Sequence, residues 1–303
     1  MVKLLICDHV ETESLALGPG IMVDYKPGIG RDELLKIVGD YDALIIRSRT
    51  KVDKDVLDRA SRLKLVARPG TGLDNVDVEY AKAKGIQVVN SPESLVEAVA
   101  EHVTLLMLAM SRRLVVADQS MKQGKWEKSS LMGSELKGKV LGIVGLGRIG
   151  RRIGEISRTL GMSVIMYDVI TIPADAIEKL QCKVVGLDEL FQTADFITLH
   201  VPMTQDTRHM VDEKRLASMK RTAFLVNTSR GGVVDETALV AALGEGQIAG
   251  AALDVFETEP PTGAILSAPN VVLTPHIGGQ TEEAQVNAIT IVGEKVRAFF
   301  GGR

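Results

Sequence analysis

Short apolar runs alternate along the whole chain with segments whose apolar residues recur every three or four positions. "VKLLIC" (2–7), "ALII" (43–46), "LKLVA" (63–67) and "IQVV" (86–89) are short and continuous, which predicts buried strands. "DELLKIV" and "DKDVLDRA" lie between them with helical spacing. A second series begins at Lys139 with "VLGIVG", "SVIMYD", "DFITLH", "AFLVN", "AGAALDV" and "NVVLTP", each separated from the next by helix-competent sequence. Strand–helix alternation of this kind builds parallel sheets covered by helices. The expectation is two α/β units, the second with at least six strands.

Between the two series lies "SPESLVEAVAEHVTLLMLAMSRRLVVADQSMKQGKW". Ser91 and Pro92 read as a cap and first-turn pair, and helical periodicity then continues for about 28 residues, enough to connect domains or carry a dimer interface. Residues 281–300 predict one more amphipathic helix.

Composition narrows the function. The 303 residues are 45% hydrophobic and 25% charged, which is ordinary globular usage. A net charge of −3 argues against nucleic acid or an anionic membrane as the main partner. Cys7 and Cys182 stand far apart without metal-ligand spacing, so no metal site is expected and a reducing cytoplasm is the expected setting. The amino terminus runs directly into a strand, leaving no expected signal peptide. The most apolar stretch, 103–110, is too short to span a bilayer.

The first chemical motif is Gly145-x-Gly147-x-x-Gly150, directly after an apolar strand and before a helix. Glycine patterns alone are common, but strand, turn, helix and second strand within about 30 residues form the dinucleotide-binding context. The first glycine makes the turn, the second admits a pyrophosphate, and the third lets helix and strand pack closely. Asp168 follows 18 residues after Gly150, at the end of the next strand, where a carboxylate accepts from ribose hydroxyls and repels a 2′-phosphate. NAD is therefore the expected cofactor.

A nicotinamide enzyme acting on an alcohol also needs a proton partner and a group that stabilises charge on the carbonyl oxygen. Arg230, Glu259 and His276 each stand where a strand of the second series runs out, the region where open α/β sheets bind ligands. Singly, they also read as a solvated turn residue, a loop charge and a strand cap. Jointly, after a dinucleotide fingerprint, they read as a substrate-binding arginine and a histidine acid/base held by a carboxylate.

The segments "RSRTKVDKDVL", "ARPGTGLDNVD", "GKWEKSSLMGSELKGKVLGIVGLGRIGR", "NTSRGGVVDETAL", "GAALDVFETEPP" and "TPHIGG" together resemble the D-2-hydroxyacid dehydrogenase family along nearly the whole chain. The resemblance implies the same Arg230, Glu259 and His276 constellation. It further implies that Thr71, Arg148, Ile149, Val201, Pro202, Thr228, Ser229, Asp254, Gly278 and Gly279 join the glycine loop, Asp168, Arg230 and His276 in the NAD site. The substrate carboxylate would rest on the backbone of Gly70, Thr71 and Gly72. The implied fold is a pair of Rossmann-like, doubly wound parallel-sheet domains. A substrate-binding domain of residues 1–91 and 281–303 is interrupted by an NAD-binding domain of residues 92–280. A homodimer or dimer of dimers is implied as well, with Lys128 reaching a partner subunit. Pro69 stands where relatives often carry a small residue, and Lys128 where arginine is frequent. The sequence stops at Arg303, giving the expectation that carboxy-terminal regulatory domains found in some relatives, and serine feedback with them, are absent.

The substrate expected is a small 2-hydroxy or 2-oxo acid carrying a phosphate, because strand-end cations are available for it: Arg47 and Arg49 in "IIRSRTK" and Arg68 in "LVARPGTG". A reductase of unphosphorylated glyoxylate or hydroxypyruvate within the same family, and a dinucleotide-sensing regulatory protein without turnover, are the alternatives.

Overall fold

The computed structural model describes residues 1–301. The chain divides into two compact units, Met1–Val96 with Gly279–Arg303, and Glu97–Gly278. In the first, strands β1 (Val2–Ile6), β2 (Ile21–Tyr25), β3 (Ala43–Ile45), β4 (Leu65–Arg68) and β5 (Gln87–Asn90) form one sheet in the order β2-β1-β3-β4-β5. All its pairings are parallel, with Leu4 opposite Ala43 and Ala43 opposite Leu65.

Side chains alternate between two buried faces, as strand geometry requires. Leu5, Cys7, Leu44, Ile46 and Val66 pack with Leu34, Val56, Leu57 and Ala81 of three helices. Leu4, Ile6, Ile45, Leu65 and Ala67 pack on the other face against Ile289, Val292 and Val296 of the last helix, Glu282–Gly301. Burial on both faces explains why these strands are continuously apolar. Each fully buried leucine or isoleucine contributes about 1.5–3 kcal/mol.

β2 escapes the sequence reading for a physical reason. It is an edge strand with Met22, Val23 and Tyr25 exposed, flanked by Gly18-Pro19-Gly20 and Pro27-Gly28, so it carries turn residues at both ends and little buried pattern.

The second unit holds seven parallel strands, β6 (Val140–Val144), β7 (Ser163–Tyr167), β8 (Lys183–Val184), β9 (Phe196–Leu199), β10 (Phe224–Asn227), β11 (Gly250–Leu253) and β12 (Val271–Leu273), in the order β12-β11-β10-β9-β6-β7-β8. Its order reverses direction beside β6, and the carboxyl ends of β6, β9, β10, β11 and β12 carry the candidate site. Phe191, Ile197, Leu199, Leu225, Leu239 and Leu253 anchor a core on one side of the sheet.

The single long helix expected from Pro92 is two helices, Val96–Ser111 and Leu114–Lys122. Arg113 adopts the left-handed conformation (φ 52°), and the Ser111 carbonyl accepts from the Ser134 N–H at 2.8 Å. Apolar periodicity continues across this break, which is why periodicity alone joins the two. Ser91 does not cap the first helix either: its hydroxyl accepts from the Gly70 N–H at 2.9 Å, and residues 92–95 form turns before the helix begins. Among the described residues no helix is long and apolar enough to cross a membrane.

Candidate active site

The three glycines of the fingerprint occupy three different physical situations. Gly145 has φ 96°, and a Cβ there would lie 2.5 Å from the His200 carbonyl oxygen. Gly150, in the helix Arg148–Thr159, passes so close to β6 that a Cβ would meet the Gly145 carbonyl at 2.2 Å. Gly147, the residue before that helix, has no atom within 4 Å of where a Cβ would sit. Only the middle position is open, which is the cradle a pyrophosphate needs at a helix N-terminus, beside the backbone of Arg148 and Ile149. Asp168, just past β7, accepts from the Leu146 N–H at 2.6 Å and from the Ile170 N–H at 3.2 Å. Its carboxylate is thereby held against the loop. Val201 follows β9 and its side chain packs beside Gly145; Pro202 is exposed.

At the end of β10, Asn227 organises the next three residues. Its Oδ1 accepts from the Ser229 N–H (3.0 Å) and hydroxyl (2.8 Å), and its Nδ2 donates to the Arg230 carbonyl (2.9 Å). The Thr228 hydroxyl is buried without a protein partner among the described residues, a polar atom suited to a bound ligand. Gly231 then lies so tightly on the chain after β11 that a Cβ would be 1.8 Å from the Phe256 carbonyl carbon. Reciprocal bonds from the Glu236 N–H to Glu257 (3.0 Å) and from the Glu257 N–H to Glu236 (2.5 Å) tie the same two loops. Half-buried Arg230 is thus fixed beside the segment that carries Glu259.

His276 follows β12, with φ 54° and its ring half-exposed. Its Nδ1 lies 2.9 Å from Glu259 Oε2 and 3.1 Å from Oε1. A carboxylate only accepts, so Nδ1 carries hydrogen, and Nε2 is left to exchange a proton with a ligand. Asp254, at the end of β11, is only 1% exposed. Its Oδ1 accepts from the Thr274 hydroxyl (2.6 Å) and the Ile277 N–H (2.8 Å), and its Oδ2 from the Gly278 N–H (2.8 Å). Burial works against the charge of Asp254, yet hydrogen bonds from His102, Thr274, Ile277 and Gly278 outweigh it and hold the carboxyl below its usual range. The arrangement gives one acid/base histidine, one carboxylate behind it, one adjacent guanidinium and an open phosphate cradle.

Residues 104–278 match the family model for the NAD binding domain of D-isomer specific 2-hydroxyacid dehydrogenases. The chain belongs to that family. It is 43% identical to a D-3-phosphoglycerate dehydrogenase of Synechocystis sp. over 299 residues, 98% of this chain and 54% of that protein. It is 48% identical to a hydroxypyruvate reductase of Thermotoga maritima over 259 residues, 84% of this chain and 83% of that protein. Among solved structures, a D-lactate dehydrogenase from Aquifex aeolicus complexed with NAD and lactic acid superposes with a TM-score of 0.86 at 32% identity, covering 99% of this chain and 96% of that one. The chain spans a little over half the length of the D-3-phosphoglycerate dehydrogenases it matches.

The first unit carries the remaining candidates. The Arg47 backbone is pinned, its N–H donating to Asp8 (2.6 Å) and its carbonyl accepting from Asn75 (2.6 Å). Its half-buried guanidinium makes no hydrogen bond or ion pair among the described residues, and burial pulls it below the usual arginine value, with Asp8 opposing. Arg49 is committed differently, donating to the Gly28 carbonyl at 2.8 Å. Arg68 donates to the Gly72 carbonyl and so supports the 70–72 loop. Gly70 has φ 133°, and exposed Thr71 accepts from Asn90 at 2.6 Å. Gly279 belongs to this unit and packs on Leu95, whereas Gly278 belongs to the other. Lys128 is exposed in the segment after Leu114–Lys122.

Asp8, Asn75, Ser91, His102 and Thr274 organise these loops and are not among the sequence candidates. A signal existed for some of them. "LLICD" and "AALD" both end an apolar strand on an aspartate, where a buried carboxylate must find its donors in the neighbouring loop.

Proposed function

We propose that the chain is an NAD-dependent dehydrogenase that interconverts D-3-phosphoglycerate and 3-phosphohydroxypyruvate, the step that opens L-serine biosynthesis. The observation that carries the reading is the 2.9 Å contact between Glu259 and His276 Nδ1, on a loop of the family's NAD-binding domain. NAD, when bound, accepts the hydride that leaves C2. His276 Nε2 takes the hydroxyl proton, and Glu259 steadies the imidazolium that results. Arg230 holds the substrate carboxylate bidentately and stabilises charge at the neighbouring oxygen. The Gly147 cradle, the Thr228 hydroxyl and Asp168 would hold NAD, Gly147 at the pyrophosphate and Asp168 at the ribose. In the first unit, Arg47 is the phosphate-binding cation, since Arg49 and Arg68 already donate to carbonyl groups. A second copy of the chain is the partner we assign to the apolar surface of Leu105, Leu114, Val116, Met121 and Trp126, all exposed in the monomer.

The similarity to a hydroxypyruvate reductase, over 84% of this chain and 83% of that protein, supports a second reading, in which the physiological substrate lacks the phosphate. A panel of 2-oxo acids assayed with NADH separates the two. We expect 3-phosphohydroxypyruvate to be reduced with far higher kcat/KM than hydroxypyruvate, glyoxylate or pyruvate, and Arg47→Ala to remove most of that preference. Parity of hydroxypyruvate with the phosphorylated substrate selects the second reading. In either case His276→Asn should lower turnover by roughly two to four orders of magnitude while NADH still binds. Near-normal turnover of that variant would overturn the acid/base assignment.

A further inference from the structure

We propose that His102, in the helix Val96–Ser111, is a positioning residue for hydride and proton transfer, acting through the Thr274 hydroxyl on the loop that carries His276. The inference rests on the acid/base reading of His276. His102 Nε2 lies 3.2 Å from Thr274 Oγ1 and 3.5 Å from Asp254 Oδ1, with its side chain only 10% exposed. The hydrogen positions follow from chemistry. Thr274 has a single hydroxyl proton, and at 2.6 Å from a carboxylate that only accepts, it points to Asp254. The threonine oxygen then receives a hydrogen bond, so His102 carries its proton on Nε2. The result is a directed chain, His102 N–H to Thr274 O–H to Asp254.

His276 needs such support because of its backbone. A side-chain-bearing residue at φ 54° lies in the left-handed region that disfavours a Cβ, and stays there only if its neighbours hold it. Those neighbours are held on both sides. The His276 N–H donates to the Thr274 carbonyl (3.0 Å), and the next two N–H groups are fixed by Asp254. The His102 ring closes this network from behind. A Cβ on Gly278 would lie 3.0 Å from Asp254 Oδ2 and 3.7 Å from His102 Cδ2, so the carboxylate and the ring both pack beside this glycine. Removing the His102 donor frees Thr274 to rotate and loosens the turn two residues before the acid/base. Misplacement of a reacting group by about 1 Å lowers rates by about a hundredfold.

The test measures the single-turnover rate of NADH oxidation by the best 2-oxo acid of the panel, in the intact protein. His102→Leu keeps bulk and removes the donor; Thr274→Val is nearly isosteric and removes the relay; His102→Gln restores an N–H at the same reach. We expect His102→Leu and Thr274→Val each to slow hydride transfer at least tenfold, with KM for NADH changed less than threefold. The double variant should be no slower than the worse single, because both act through one hydroxyl. His102→Gln should recover to within threefold of the unmodified enzyme. A merely structural histidine would lower the melting temperature and leave the rate of the folded enzyme unchanged, and that result overturns the proposal. Equal slowing by His102→Gln overturns it too. Should His102→Leu not fold, Thr274→Val decides alone. With His276→Asn run in parallel, an inactive His276→Asn beside a fast Thr274→Val defeats this inference only, whereas an active His276→Asn defeats the acid/base reading itself.

Discussion

Asp8 in the first unit and Asp254 in the second solve one problem in the same way. Each follows a central or near-edge strand, is almost fully buried (4% and 1% exposed), and accepts from a threonine hydroxyl and two backbone N–H groups of the loop after the adjacent strand. For Asp8 the donors are Thr50 Oγ1 (2.7 Å), the Arg47 N–H (2.6 Å) and the Thr50 N–H (3.2 Å). For Asp254 they are Thr274 Oγ1, the Ile277 N–H and the Gly278 N–H. The difference lies in what the loop is made to present. Asp8 fixes the backbone of an arginine whose side chain remains long and adaptable, which suits recognition of a charge. Asp254 fixes a histidine in a strained turn and is itself backed by His102, which suits chemistry that depends on sub-ångström placement.

Substituting both aspartates should separate these roles. Each Asp→Ala change strands two N–H groups and a hydroxyl, at roughly 1–3 kcal/mol per unsatisfied group, so both variants should lose at least about 3 kcal/mol in urea unfolding. Their kinetics should diverge. Asp254→Ala should lower kcat about a hundredfold or more, while Asp8→Ala should act mainly on KM for the phosphorylated substrate, raising it about tenfold. Equal losses of kcat in both variants would mean that the loop after β3 takes part in the chemistry, and the comparison would break.

A third strand-end carboxylate sharpens the contrast. Asp168 is half-buried and holds only two N–H groups, leaving lone pairs for a ligand. Asp168→Ala should therefore cost less stability than either of the other two substitutions, yet narrow the NADH-over-NADPH preference by weakening NADH and removing repulsion of the 2′-phosphate. The ratio of kcat/KM for the two cofactors checks it; an unmodified enzyme with no preference would refute the assignment.

These residues also show what a sequence reveals and what it hides. Gly145, Gly147, Gly150 and Asp168 are legible because their spacing is set within one strand–turn–helix–strand unit. Arg230, Glu259 and His276 are legible as candidates because each stands in the loop just past the end of a strand. Asp8 and Asp254 are harder, since their partners lie 39–42 and 20–24 residues away and no local pattern records a pairing between neighbouring strands. His102 is harder still. It lies 172 residues from Thr274 and sits in a helix whose apolar stripe makes it read as a core histidine. The break at Arg113 and the edge strand β2 are hidden for the opposite reason, because local pattern there contradicts the tertiary outcome.

The smallest expected effect concerns acid. His200, at the end of β9, bonds through Nε2 to the Thr198 hydroxyl at 2.8 Å, and desolvation of the ring pushes it down to about 3. In the unfolded chain the same imidazole titrates near 6.5. Between those values the unfolded state binds the extra proton, so stability contributed by His200 is complete above about pH 6.5 and is lost as pH falls toward 3. The steepest slope is about 1.4 kcal/mol per pH unit. Glu236, raised by burial, opposes this by favouring the folded state as it protonates. Asp254, whose carboxyl is lowered, adds to the loss once pH falls to the ordinary carboxyl value of 3.8 and below. His200→Gln keeps a partner for Thr198 but does not titrate, so its urea midpoint should fall less between pH 6.5 and 4.5 than that of the unmodified protein. Hydrogen exchange should place the acid-induced opening in the unit of β6–β12, where His200 and Asp254 both reside, before the unit held by Asp8. Opening that begins in the five-stranded sheet, or a His200→Gln profile parallel to the original, would show that the acid sensitivity lies elsewhere.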